Sequence, residues 1–248
     1  MSVYLKQFST HQEYDAYING SDAILPNVSV CTTEGDVHYN PPVDPYAGHD
    51  YVEIGGLKWA TMNVGATNIT DYGLYFQWGD TQGYTAAQCG SGEGKKYFNW
   101  ADYKYGNGTS SPGATGMTKY NSTDGKTVLD LSDDAAKANW GGQWRMPTTA
   151  EYVALGDAVN TKWTKVNGVY GMLCTDKTDS SKTLFFPACG YCNYGSVEDI
   201  GSIGRYCSSS LGSSNVQFAY GTDFGDGRLS WNSINYRFYG LPVRGVVG

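Results

Sequence analysis

Two dipeptides, Gly55-Gly56 and Asn167-Gly168, constrain this chain more than any other feature. Gly55-Gly56 separates Tyr51-Val-Glu-Ile54 from Leu57-Lys-Trp-Ala60, and Asn167-Gly168 separates Trp163-Thr-Lys-Val166 from Val169-Tyr-Gly-Met-Leu-Cys174. A two-residue connection whose twist matches paired strands needs positive φ at its central positions, which Gly and Asn adopt at least cost. Each dipeptide therefore predicts an antiparallel hairpin, and Thr183-Leu-Phe-Phe-Pro187 predicts a further strand. Helices are expected where capping residues precede an apolar stretch. Leu131-Ser-Asp-Asp134 opens one that runs through Trp140, and Pro147-Thr148 opens another with Thr148 and Glu151 at capping-box spacing. The expected fold class is α+β, loop-rich, with two main helices.

Charged residues make up only 17% of the 248 positions, whereas there are 33 Gly and 21 Tyr, so Ser, Thr, Asn, Gly and Tyr must cover the surface. That composition favours loops. A formal charge of −7 argues against nucleic acid as a partner, because backbone binding depends on clustered Lys and Arg. The start, Met1-Ser-Val-Tyr-Leu-Lys6, lacks the pattern of a secretory signal and no later stretch reads as a membrane span, so synthesis in a bacterial cytoplasm without membrane insertion is expected. On that premise the six cysteines, Cys31, Cys89, Cys174, Cys189, Cys192 and Cys207, are expected to be free thiols. Asn68, Asn107 and Asn121 in Asn-x-Ser/Thr are then coincidental.

Tyr39-Asn-Pro41-Pro42-Val-Asp-Pro45-Tyr-Ala-Gly48 can continue neither a helix nor a central strand. It marks a boundary between an N-terminal attachment or oligomerisation segment, 1–47, and a main domain, 48–248. In the first segment a short helix follows Ser9-Thr10-His-Gln-Glu13, and Leu25–Cys31 and Asp36–Tyr39 read as strands. A piece that small is expected to dock on something larger. Within the main domain, Asp80 to Thr127 has no sustained periodicity and reads as a long surface excursion held by Phe98, Trp100 and Tyr103.

From Gly190 to Gly240 the chain contains Tyr, Ser, Gly, Asn and Phe with a few Arg and Asp, and no Lys. Such a mixture supplies stiff aromatic contacts and adaptable hydrogen bonds, which suits binding better than catalysis. Tyr206, Phe218, Phe224 and Trp231 are expected to point inward, and Tyr236, Phe238 and Tyr239 outward. Asp223 and Asp226, set among glycines, read as solvated turn residues.

An ordered series of sequence words runs through the main domain: Gly56-Leu-Lys-Trp59 with Asn63, Gly73-Leu-Tyr-Phe-Gln-Trp-Gly79, Gly142-Gln-Trp-Arg-Met-Pro-Thr-Thr-Ala-Glu-Tyr152, Phe186-Pro-Ala-Cys-Gly190, Gly204-Arg-Tyr-Cys-Ser-Ser-Ser210 and Pro242-Val-Arg-Gly-Val246. Together they resemble C-type-lectin-like domains of the formylglycine-generating-enzyme subtype, and especially the variable proteins of diversity-generating retroelements. The resemblance implies a scaffold that presents a C-terminal variable region, about 190–240, as a ligand-binding face. Retroelement mutagenesis acts at template adenines, so Asn codons can become many residues but never Lys, Glu, Gln, Met or Trp. On that basis the ligand-contacting variable residues are Tyr191, Cys192, Tyr194, Val197, Asp199, Ile203, Arg205, Cys207, Tyr220, Asp223, Asp226, Arg228, Ser230, Asn232, Ser233, Asn235, Tyr236, Phe238 and Tyr239. Cys207 stands where relatives commonly carry Trp and needs a template other than Asn. Glu198, Gln217 and Trp231 are expected to be scaffold.

Cys189-Gly-Tyr-Cys192 has the spacing of a redox or zinc pair, but neither a helix start in a βαβ unit nor two further ligands accompany it. The calcium words of sugar-binding lectins are incomplete, since Trp231-Asn-Ser233 lacks the acid. Arg145 and Arg244 read as internal anchors. No metal or cofactor is expected. The expected function is non-enzymatic recognition of a cell-surface protein or glycan of a target bacterium. The N-terminal segment would join a phage tail or support a homo-oligomer in the virion. The alternatives are a formylglycine-generating-enzyme-like or thiol-dependent enzyme, and a bacterial surface adhesin. A pure binder should tolerate Ser at Cys192 and Cys207.

Overall fold

A computed structural model of the chain describes residues 44–248. The helix expected after Ser9 and the strands expected at 25–31 and 36–39, with His11, Cys31 and His38, lie outside the described residues. Gly48–Gly248 form one compact unit.

Strands β1 (Tyr51–Ile54) and β2 (Leu57–Asn63) pair antiparallel from Tyr51↔Ala60 to Ile54↔Leu57. Gly55 and Gly56 turn the chain with φ of 62° and 81°, a combination that side chains with a Cβ resist. A short strand β3 (Tyr75–Phe76) follows, and then the excursion, which contains two 3-10 turns, Ala86–Gln88 and Ala114–Gly116. Phe98, Trp100 and Tyr103 are buried within it. The first expected helix is shorter than its sequence suggests. Leu131–Asp133 form a 3-10 turn, and α1 (Ala135–Trp140) begins after Asp134, whose carboxylate accepts from the backbone N–H of Lys137. Helix α2 (Thr149–Ala158) carries the full capping box between Thr148 and Glu151.

β4 (Val159–Val166), β5 (Val169–Asp176) and β6 (Thr183–Pro187) make one antiparallel sheet, turned at Asn167-Gly168 with both φ positive. β7 (Tyr191–Asn193) pairs with β8 (Ser196–Glu198), and β9 (Ile203–Leu211), β10 (Phe218–Gly225) and β11 (Arg228–Tyr236) form a sheet in the order β11-β10-β9. Finally β12 (Leu241–Pro242) joins β3, and β13 (Arg244–Val247) joins β2.

The α+β C-type-lectin-like expectation is corrected by this arrangement. Among the described residues strand accounts for 39% and helix for 12%, spread over several small sheets with only two α-helices, so the fold is β-rich. The difference arises in the C-terminal quarter, where segments whose composition reads as loop pair as strands. The core is aromatic. Trp59, Tyr152, Phe186, Tyr206, Phe224 and Val246 share one cluster, and Phe76, Trp78, Tyr120, Met146 and Val243 another. Each large side chain so enclosed stabilises the fold by roughly 1.5–3 kcal/mol.

Two arginines tie the frame together. Arg244, fully buried, donates to Asn63 Oδ1 and to the carbonyls of Ala60, Thr61 and Phe185. Arg145 pairs with Glu151 at 2.6 Å, and so locks the carboxylate that caps α2. Among the described residues no helix is long and apolar enough to cross a membrane.

Candidate ligand-binding face

The C-terminal quarter is a sheet rather than a set of loops. Phe218 lies opposite Tyr236 and Tyr220 opposite Ile234 across β10 and β11, while Asp223 faces Arg205 on β9 and Ser230 on β11. Directly opposed residues share a face, so each pair sets two side chains together. Irregularities in register interrupt both ladders near Gly221. Behind the sheet, Trp231 packs so closely on α2 that a side chain at Gly156 would overlap its indole ring. Serines that look like loop residues are satisfied internally: Ser208 Oγ donates to Tyr220 O and Ser209 Oγ to Pro147 O. That is how a Gly-Ser-rich strand can be buried without unsatisfied hydroxyls.

A chain of rings runs across this part of the molecule. Tyr97 meets Tyr194 at 6.2 Å between centroids, Tyr194 meets Phe238 at 5.5 Å, Phe238 stacks with Tyr236 at 5.5 Å, and Tyr236 stacks with Phe218 at 4.5 Å. Tyr239 contacts Tyr236 and Phe238 on one side and Tyr191 on the other. Tyr97, Tyr194, Ile234 and Tyr236 are exposed, whereas Trp100 beneath Phe238 is buried. Tyr97 and Trp100 belong to the excursion and were not among the expected contact residues. Their tyrosine-rich setting around 97–105 was a signal available in the sequence.

The excursion is fastened to the same region by a disulfide between Cys89 and Cys192. This corrects the expectation of free thiols throughout, and it removes Cys192 as an interchangeable contact residue. Cys174, Cys189 and Cys207 are free and buried. Burial pushes each of these three thiols up to about 12, so none has the access or acidity that thiol chemistry needs. Among the described residues no group of three His, Cys, Asp or Glu could hold a metal ion.

The expected contact residues divide into three groups. Tyr194, Asp199, Asp226, Arg228, Asn232 and Tyr236 are exposed, and Val197, Ile203, Arg205, Tyr220, Ser230, Ser233 and Tyr239 are half-buried. Tyr191, Cys192, Cys207, Asp223, Asn235 and Phe238 are buried, and their expected outward display is corrected. The physical reasons differ. Tyr191 donates its hydroxyl to Glu198 at 2.6 Å, Cys207 lies in the second core cluster, and Phe238 sits on Trp100 and Tyr103. Asp223 is no solvated turn residue. It lies within β10, accepts from Asn235 at 3.1 Å and Arg228 at 3.2 Å, and has Arg205 at 3.6 Å. Burial lifts its carboxyl above the ordinary range, and these three neighbours only partly offset that. Of the four rings expected inside, Tyr206 and Phe224 are buried, while Phe218 and Trp231 are half-buried. The expected outward set keeps Tyr236, with Tyr239 half covered.

No protein-family model, curated protein or solved structure matches the chain.

Proposed function

We propose that this chain is a non-enzymatic recognition protein, of the kind that diversity-generating retroelements diversify, which binds a macromolecule on a bacterial cell surface. Residues 1–47 would attach it to a larger assembly such as a phage tail. The observation that carries this reading is that Tyr97, Tyr194 and Tyr236, joined through the buried Phe238 ring, are all exposed, as is Ile234 two residues before Tyr236 on β11. Exposed apolar groups brought together in this way mark an interaction surface. The Cys89–Cys192 bond supports work outside a reducing cytoplasm, since such bonds persist at virion and cell surfaces. A thiol-dependent enzyme is disfavoured by the sealed state of Cys174, Cys189 and Cys207.

The test is binding of fluorescently labelled protein to a panel of intact bacteria. Paired Tyr194→Ser and Tyr236→Ser substitutions should abolish binding. Tyr170→Ser with Val153→Ser, two residues equally exposed elsewhere, should leave it intact. Equal effects of the two pairs, or no binding to any member of the panel, contradict the proposal.

A further inference from the structure

Arg205 is fixed in position yet has no hydrogen-bond acceptor among the described residues. Its side chain is only 16% exposed, and its guanidinium carbon lies 3.9 Å from the centroid of the Tyr191 ring. Tyr191 is itself held by Glu198 and by the Tyr239 ring at 5.0 Å. Arg205 Nε is buried without a partner, and no described residue accepts a hydrogen bond from either terminal nitrogen. The nearest carboxylate oxygen, Asp223 Oδ2, is 3.6 Å from Nε, beyond hydrogen-bond reach, and already accepts from Arg228. A guanidinium presents five donors in a planar fork, and the two terminal nitrogens, which are not among the buried unpartnered atoms, reach solvent with no internal acceptor and so are open to a ligand.

We propose that Arg205 receives the carboxylate of an acidic sugar residue, of hexuronic or sialic type, in a cell-surface glycan whose ring lies against Tyr239 and Tyr236. This rests on the recognition reading above and names its ligand class. The fork matches a carboxylate bidentately. A sugar acid carries that carboxylate beside a ring with an apolar C–H face, and the structure places the fork beside the ring series Tyr191, Tyr239, Tyr236, spaced 5.0 and 5.5 Å. An acidic peptide added as a strand along β9, where Arg205 lies, fits less well. The outer edge of β9 is bridged at Gly190↔Gly204 and Val128↔Ser210, on either side of Arg205.

Ligand-observed NMR on the full chain tests this with glucuronate, galacturonate and N-acetylneuraminate against their methyl esters, and with an Asp/Glu-rich hexapeptide. The acids should bind at least about tenfold more tightly than the esters, an effect measured on the unaltered protein and independent of any variant's folding. Arg205→Gln should abolish the preference, and Arg205→Lys should reduce it by about tenfold, since an ammonium lacks the fork. Equal binding of acids and esters, absence of acid binding, preference for the peptide, or an unchanged preference in a folded Arg205→Gln protein overturns the inference. If labelled protein still binds cells in that event, the recognition reading stands and only the ligand class falls.

Discussion

Arg237 and Arg205 come from the same Lys-free segment, yet their surroundings are opposite. Arg237 is fully buried, donating from Nε to Tyr103 Oη at 2.8 Å and from its terminal nitrogens to the carbonyls of Tyr120, Val216 and Lys119, over the Trp78 ring. Arg205 rests on the Tyr191 ring with Asp223 3.6 Å from Nε and no hydrogen-bond acceptor among the described residues. What separates frame from display is the supply of acceptors. Tyr103, Lys119 and Tyr120 all come from the excursion, so a segment that looks like surface decoration in fact supplies three of the four acceptors around Arg237. Position within the Lys-free stretch does not decide the role; the carbonyls that meet the side chain do.

The comparison is broken most severely by Arg237→Met, which leaves three buried carbonyls and a phenol without their donor. A loss on the order of 5 kcal/mol is expected, read as a collapse of the denaturant midpoint, whereas Arg205→Gln should cost less than about 1 kcal/mol. Similar losses for both would erase the distinction. Reduction of Cys89–Cys192 comes next. Its separation of 103 residues implies a loss of roughly 4–5 kcal/mol in the chain-entropy account, measured as the shift in unfolding midpoint with reductant. Cys192→Ser should reproduce that loss, contrary to the tolerance expected of a free thiol.

A smaller effect sharpens the role of the excursion. Asp133 is buried, which alone would raise its carboxyl, but hydrogen bonds from Lys119, Tyr105, Tyr120 and Lys104 outweigh burial and hold it well below its ordinary 3.8. A depressed folded value means that the unfolded chain binds the proton more readily. Its stabilising contribution is therefore present above pH 3.8 and lost as the pH falls below it. Thermal unfolding followed from pH 5 to pH 2 should show this acid limb, and Asp133→Asn should flatten it while lowering stability by about 2–3 kcal/mol. An unchanged acid limb in that variant would show that Asp133 does not join the excursion to the frame.

Local chemistry was the readable part of the fold. Gly55-Gly56 and Asn167-Gly168 turn hairpins because their φ values are positive, and Thr148 with Glu151 caps α2, all determined within a few residues. β9 to β11 were hidden because Ser208, Ser209, Gly221 and Asn235 lower strand preference while finding distant partners that the sequence does not display. The disulfide was equally hidden, since Cys192 suggested the nearby Cys189 and its partner lies in the excursion. Of the nominated residues, Tyr194, Arg228 and Tyr236 were legible as exposed, Arg228 through the resemblance alone. The burial of Asp223 was not legible, because bulges shift the alternation that would have shown which way it points, and that of Phe238 was not, because it lies in the turn after β11 where no alternation applies.

The smallest expected effect tests the central claim, that the outward side chains are separable from the frame that carries them. Thermal unfolding of a variant with Tyr194, Arg228, Ile234 and Tyr236 all replaced by Ser, followed by circular dichroism, measures it without knowledge of any ligand. Single exposed substitutions typically change stability by less than about 0.5 kcal/mol, so one cooperative transition within roughly 8 °C of the unaltered protein is predicted. Loss of the cooperative transition would show that these four residues hold the fold together, and would contradict the account.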